Sequence, residues 1–309
     1  MLLINPAQER FGGFLSRYVP VGIPVAIGCL AAALTKHGVA VRVLDEELVT
    51  LTPTVLRERL RGLETPYLVG LSCLTAHVGR AYVIAAMVKG HFPDAVVVAG
   101  GLHPTALPEE ALKTGHIDYV VRGEGEAVLV DLHDAIRQGR DPAAIKGLSF
   151  VRDGQVVHTP EASLIPDLDA IPPFPYELFA HPKYDMGFLT SSRGCPYSCR
   201  YCAIRMLNGT TYRYKSAGRI VEELDTLVNR YKQTQIVFYD DNFCFKPKRV
   251  IEVCEAIRAA GLHRKCAFSI QTRADNFPEE LVPHLAAAGF KHAGFGMETG
   301  VNRLMRLIG

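Results

Sequence analysis

Apolar residues in the first part of the chain fall in short continuous blocks, separated by stretches whose apolar positions recur with helical spacing. Leu2 to Asn5, Val39 to Leu44, Tyr67 to Ser72, Ala95 to Ala99 and Asp118 to Val121 read as strands. Pro24 to His37, Thr52 to Leu63, Val78 to His91, Pro108 to Lys113 and Glu126 to Arg137 read as the helices between them. Unbroken apolar strands such as Val96-Val97-Val98 suit a parallel sheet covered on both faces, so the pattern predicts a doubly wound α/β domain over residues 1–138. Ligands of such sheets sit beyond the carboxyl ends of the strands.

Residues 139–184 change character. A hairpin is expected around Arg152-Asp153-Gly154, followed by the proline-rich Ile171-Pro172-Pro173-Phe174-Pro175, and the stretch reads as a connector. From residue 185 the alternation resumes. Phe188 to Ser191, Gln235 to Tyr239, Ala267 to Gln271 and His292 to Met297 are the expected strands. Ala217 to Tyr231, Pro247 to Ala260, Pro278 to Ala288 and a segment from Val301 onward are the expected helices. Strand–helix units running in one direction predict part of a β/α barrel, whose active site lies at the carboxyl ends of its strands. The sequence stops after the fourth unit, so the barrel over 185–309 is expected to be incomplete, as a fragment or a reduced variant.

Composition narrows the class. With 48% hydrophobic and 21% charged residues and a net charge of +2, the 309-residue chain reads as soluble and globular, with no excess charge pointing to nucleic acid. The stretch from Val19 to Leu34 is interrupted by Pro20, Gly22, Pro24 and Gly28, so it lacks the apolar run of about 20 residues that spanning a bilayer needs. The first residues show no export signal, and a cytoplasmic location is expected. Eight cysteines are too sparse for a disulfide scaffold. Cys29, Cys73, Cys244, Cys254 and Cys266 lie among apolar neighbours as small core residues. The remaining three form one tight group.

That group is Cys195-Pro-Tyr-Ser-Cys199-Arg-Tyr-Cys202, a few residues beyond a predicted strand and reached through Ser191-Ser192-Arg193-Gly194. Thiolates are soft ligands for iron–sulfur clusters and for zinc. Closed structural zinc wants four ligands, and the next Cys or His residues, His181 and Cys244, are distant in sequence. The spacing C-x3-C-x2-C with an aromatic before the last cysteine resembles the signature of the radical S-adenosylmethionine superfamily. The resemblance continues through Tyr212-Arg-Tyr-Lys-Ser, Phe238-Tyr-Asp-Asp-Asn-Phe, Gln271-Thr-Arg-Ala-Asp and Gly294-Phe-Gly-Met-Glu-Thr-Gly300. It implies a [4Fe-4S] cluster on Cys195, Cys199 and Cys202, with one iron left for S-adenosylmethionine. One-electron cleavage of that cosubstrate then yields a 5′-deoxyadenosyl radical, and the resemblance also implies a low-potential donor of flavodoxin or ferredoxin type. By the same likeness Asp240 and Asp241 meet the methionine amino group or simply cap a turn, Glu298 meets the ribose, and Tyr201 lies beside the adenine. Arg273 pairs with a carboxylate or makes a surface ion pair; Arg213 and Lys215 face an anion or solvent. Later barrel strands of the family usually add a glycine-rich adenine contact, to which no residue here is assigned.

An α/β domain ahead of such a barrel resembles the Rossmann-like cobalamin-binding domain of the B12-dependent radical enzymes. The residues carrying this likeness are Gly70-Leu-Ser-Cys-Leu-Thr75, Gly100-Gly-Leu-His-Pro-Thr-Ala-Leu-Pro108 and Arg122-Gly-Glu-Gly-Glu126. It implies hydroxyl contacts from Ser72 and Thr75 to the nucleotide tail and close backbone approach at Gly100 and Gly101, unless the glycine pair only makes a tight turn. His103 becomes a neighbour of the corrin or a locally satisfied loop histidine. The D-x-H-x-x-G loop that supplies histidine to cobalt in the methionine-synthase type is missing, with Asp45-Glu46-Glu47 in its region; no histidine is expected on cobalt.

The resemblance therefore implies abstraction of hydrogen from a small-molecule substrate and C-methylation through methylcobalamin. A ring-forming or oxidative rearrangement, as in the porphyrin cyclase branch, is the alternative. A non-catalytic corrinoid- or metal-binding protein is a third reading, of another class.

Overall fold

The computed structural model describes residues 1–8 and 21–308; Val19 and Pro20 of the interrupted apolar stretch, and Gly309, lie outside the described residues. The chain divides into two compact units, residues 1–165 with 174–183 and residues 166–173 with 184–309.

The first unit is built on seven strands: β1 (Leu2–Asn5), β2 (Arg42–Asp45), β3 (Leu68–Ser72), β4 (Val96–Gly100), β5 (Tyr119–Val121), β6 (Leu148–Arg152) and β7 (Gln155–His158). Their order is β2-β1-β3-β4-β5-β6-β7. The first five are parallel and the last two antiparallel. The parallel order 2-1-3-4-5 is a doubly wound arrangement, with its crevice where the connections change direction, between β1 and β3. Leu2, Leu3, Ile4, Val69 and Val97 are fully buried, as continuous apolar strands demand. The intervening helices Val25–Lys36, Pro53–Leu60, Val78–His91 and Glu126–Arg137 match the predicted positions to within a few residues. Local chemistry sets their ends: the Thr52 side chain accepts from the Val55 amide and Pro53 opens the helix behind it.

The hairpin at Arg152-Asp153-Gly154 forms, with positive φ at Asp153 and Gly154. It extends the sheet of the first unit, because Phe150 and Leu148 are buried against β5, so residues 139–165 belong to this domain rather than to a separate connector. Phe174, from the proline-rich segment, lies over the helix Val25–Lys36 at Gly28, where a Cβ would come 2.0 Å from its ring. Gly28 thus makes room for an aromatic side chain.

The second unit carries four parallel strands in order: β8 (Phe188–Leu189), β9 (Gln235–Phe238), β10 (Ala267–Thr272) and β11 (Phe290–Phe295). Phe238, Phe243, Phe268 and Phe290 form its core, with ring centroids 5.0–6.0 Å apart for the pairs centred on Phe238. The helix expected over Ala217 to Tyr231 is α-helical to Asp225 and finishes as a π-helical turn over Thr226–Arg230. Thr226 turns its hydroxyl back onto the Glu222 carbonyl at 3.0 Å, a bond that competes with the regular ladder. The last strand begins at Phe290 rather than His292, since Gly289, at φ 88°, turns the chain directly out of the preceding helix. No helix among the described residues is long and apolar enough to cross a membrane.

Candidate functional site

The loop bearing the three cysteines is fixed at its base by the residues that precede it. Ser191 and Ser192 give both their amides and both their hydroxyls to the Asp240 carboxylate at the end of β9, at 2.5–3.1 Å. Arg249, only 3% exposed, stands 3.8 Å from Asp240 and donates to the Ser191 carbonyl at 3.1 Å and to the Tyr212 hydroxyl at 3.2 Å. Ser192 and Arg193 pair antiparallel with Tyr214 and Arg213. Gly194 then adopts φ 85°, with the position of a Cβ 2.3 Å from the Thr211 carbonyl oxygen, so no other residue fits that turn. The Cys202 amide donates to the Cys199 carbonyl at 3.1 Å, folding the second half of the motif into a tight turn.

Beyond this base Cys195, Cys199 and Cys202 line one cavity of about 510 Å³ with Tyr197, Tyr201, Ile204, Asp241, Gln271, Thr272, Arg273, Phe295 and Glu298. Of the residues expected to meet the cosubstrate, Tyr201, Asp241, Arg273 and Glu298 come together here. Asp240 does not: its oxygens are occupied by the serines, and the side chain is closed from solvent. Asp241 accepts from the Gly194 amide at 3.2 Å and from Asn208 at 3.1 Å. Burial raises its pKa above the ordinary carboxylate range, against the lowering effect of those two donors. Partial burial of the Tyr201 phenol and its hydrogen bond to Glu298 push it up to about 12. Glu298 sits in the loop after β11 with φ 47°.

Arg273 makes an ion pair with a carboxylate of its own chain, Asp275. Its Nε and Nη2 hold Asp275 at 2.9 and 2.8 Å, its Nη1 donates to Cys199 Sγ at 2.8 Å, and the guanidinium lies 4.1 Å from the centre of the Tyr197 ring. Arg213 is buried and donates to the Asn208 carbonyl at 2.7 Å, while Lys215 binds both oxygens of Glu223, so neither faces a ligand anion. Sequence reasoning missed Ser191, Ser192 and Arg249 as supports of the loop, and Tyr197 as a wall of the cavity. The quoted Gln271-Thr-Arg and Gly294-Phe-Gly-Met-Glu runs were the sequence signals for the rest of the cavity wall.

In the first unit the residues expected near a corrin gather at the carboxyl ends of β3 and β4. Ser72 ends β3, Thr75 lies exposed just after it, and Leu74 beside them is half exposed. Gly101 takes φ 97°, with the position of a Cβ 2.7 Å from the Cys73 carbonyl oxygen; this glycine closes the β3 and β4 loops on each other. The next residues, Leu102–Ala106, form a short helix where a loop was expected. His103 is buried in it, with Nδ1 3.2 Å from the Thr75 hydroxyl and Nε2 3.3 Å from Glu110. Both ring nitrogens are engaged within the protein. Glu46, in the Asp45-Glu46-Glu47 run, is held by Arg80 through Nε at 2.9 Å and by the Leu51 amide at 2.9 Å. Burial acts to raise its pKa, but these donors outweigh it and hold the carboxyl below its ordinary value.

The sequence matches the B12 binding domain family over residues 14–133 and the radical SAM superfamily over residues 189–309. It is 31% identical to an uncharacterized methyltransferase of Pyrococcus horikoshii, over the whole of this chain and 67% of that protein. The chain belongs to the cobalamin-dependent radical S-adenosylmethionine family. Another relative of the family is the anaerobic magnesium-protoporphyrin IX monomethyl ester cyclase of Rubrivivax gelatinosus, 28% identical across all of this chain and 57% of the cyclase. Among solved structures, the radical S-adenosylmethionine methyltransferase TsrM from Kitasatospora setae shares the fold with a TM-score of 0.81 at 24% identity, covering 98% of this chain and 60% of TsrM. The chain spans between about half and two thirds of the length of these relatives.

The residues present fit the family's groups. Three soft donors ring a cavity with both apolar and hydrogen-bonding walls, and an N–H donor already points at one sulfur. Among the described residues no group of three His, Cys, Asp or Glu side chains is arranged to hold a single metal ion. In the first unit, hydroxyls beside an exposed leucine suit a group with an apolar ring and a polar tail.

Proposed function

We propose that this protein is a radical S-adenosylmethionine methyltransferase acting on an unactivated carbon of a small-molecule substrate. The observation that carries the reading is the single cavity in which Cys195, Cys199 and Cys202 share walls with Asp241, Tyr201 and Glu298. When bound, the cluster and cosubstrate supply a carbon-centred radical, and the corrinoid supplies a transferable methyl group. The three thiolates hold the cluster. Asp241, at the base of the cysteine loop, accepts from the amino group of the cosubstrate, and Glu298 accepts from its ribose hydroxyls. Tyr201 flanks the adenine. Ile204 and Phe295 provide apolar walls that limit water around the reacting carbon. On the first unit, Ser72 and Thr75 bind the nucleotide tail, Gly100 and Gly101 admit the corrin, and His103 orients the Thr75 hydroxyl. A cytoplasmic location and an electron donor of flavodoxin or ferredoxin type go with this reading.

The test is anaerobic reconstitution followed by S-adenosylmethionine bearing a labelled methyl group and a strong reductant. The expected result is 5′-deoxyadenosine from the parent chain, none from Cys202→Ser, and label on the extracted corrinoid. A cluster-loaded chain that makes no 5′-deoxyadenosine contradicts the radical reading. The likeness to the cyclase supports ring formation as the second reading, and 5′-deoxyadenosine without label on the corrinoid would favour it.

A further inference from the structure

Arg273 touches three groups at once. Its Nε and Nη2 form a two-pronged ion pair with Asp275, which lies in the short turn Ala274–Asn276 rather than in the cavity wall. Its planar face rests on Tyr197, the residue midway between Cys195 and Cys199. Its remaining nitrogen, Nη1, is aimed at Cys199 Sγ at 2.8 Å. The side chain is about one quarter exposed, so its charge is only partly screened. With Asp275 on its Nε–Nη2 edge and Tyr197 against its face, the guanidinium keeps Nη1 for other acceptors, and Nη1 meets a thiol sulfur. One of the two edges with which an arginine can grip a carboxylate is thus taken by Asp275, and Nη1 of the other edge donates to Cys199.

We propose that Arg273 is a positioning residue that sets the reduction potential of the cluster by donating a charge-assisted hydrogen bond to the sulfur of Cys199. The inference rests on the reading of Cys195, Cys199 and Cys202 as cluster ligands. Reduction adds one electron to the cluster and so increases the negative charge on its sulfurs. A fixed cation and N–H donor at one of those sulfurs stabilises the reduced form more than the oxidised form and raises the potential. Asp275 holds the donor in place, and Tyr197 prevents it from swinging away. The balance matters because a cluster that is too hard to reduce is never charged by its donor, whereas one too easily reduced loses driving force for breaking the sulfonium bond.

The experiment is a redox titration of the reconstituted chain, followed by electron paramagnetic resonance, for the parent, Arg273→Met and Arg273→Gln. Iron and sulfide content is measured on each sample first. The two variants are expected to load the cluster to the parent level. At a fixed applied potential near the parent midpoint, the ratio of reduced to oxidised cluster should fall about tenfold in each, a downward shift of about 59 mV for a one-electron couple. Arg273→Lys, which restores the charge without the planar donor, should recover part of the shift. Equal midpoints in the parent and in whichever variants load overturn the inference. Failure of both variants to load also overturns it, since a residue acting on potential is not required for assembly. A parent chain that takes up no cluster defeats the ligand reading itself, and iron and sulfide content distinguishes that failure from the other two.

Discussion

Asp240 accepts four hydrogen bonds from Ser191 and Ser192 in a place closed to solvent, with Arg249 as its counter-charge. Truncating it leaves a buried arginine without its carboxylate. Asp240→Ala is therefore expected to lower stability by about 3–5 kcal/mol, read from urea unfolding. Asp241→Asn should leave the unfolding midpoint near the parent value and weaken S-adenosylmethionine binding about tenfold, by isothermal calorimetry on the cluster-loaded chain. Two adjacent acids after a strand could not be told apart in the sequence, because consecutive side chains leave a strand in opposite directions and only the fold says which face is the cavity. Glu46 offers a pH test. Its folded pKa lies below the ordinary 4.5, so its contribution to stability is complete above that value and is lost as the pH falls through the depressed one. The stability difference between the parent and Glu46→Gln should accordingly shrink on acidification below about pH 4.5, measured by urea midpoints across pH.

At the scale of elements, continuous apolar runs made the parallel strands legible, and most predicted helices lie within a few residues of the observed ones. What stayed hidden depends on contacts distant in sequence. The helix Leu102–Ala106 follows a glycine at positive φ whose missing side chain lets the Cys73 backbone come close, and the β6–β7 hairpin joins a sheet through pairing with β5. The pairing of Ser192–Arg193 with Arg213–Tyr214 that braces the cysteine loop is two residues long, too short for any periodicity. Gly194 carries the strictest local demand. Gly194→Ala should abolish cluster uptake, seen as loss of the visible absorbance after reconstitution, because a Cβ there meets the Thr211 carbonyl oxygen at 2.3 Å. Gly218→Ala, whose nearest contact is the Ser216 hydroxyl at 4.0 Å, should load as the parent does.

At the scale of the whole molecule, two units of parallel sheet each present the carboxyl ends of their strands to a candidate cofactor site. The cysteine motif was the most legible feature of the sequence, since its spacing and its likeness to the superfamily signature singled out the three proposed ligands. The groups that give it a potential and a rigid base, Arg273, Asp240 and Arg249, come from later strands and helices and become visible only when β9 and β10 bring them to the loop. The direct measurement of what the three cysteines hold is metal and acid-labile sulfide content, with Mössbauer spectroscopy, on the anaerobically reconstituted chain and on its Cys195→Ala, Cys199→Ala, Cys202→Ala triple variant. The parent should hold about four iron and four sulfide per chain, with the spectrum of a [4Fe-4S] cluster, and the variant neither. One zinc per chain without sulfide, or a variant that loads as the parent does, would contradict the cluster reading.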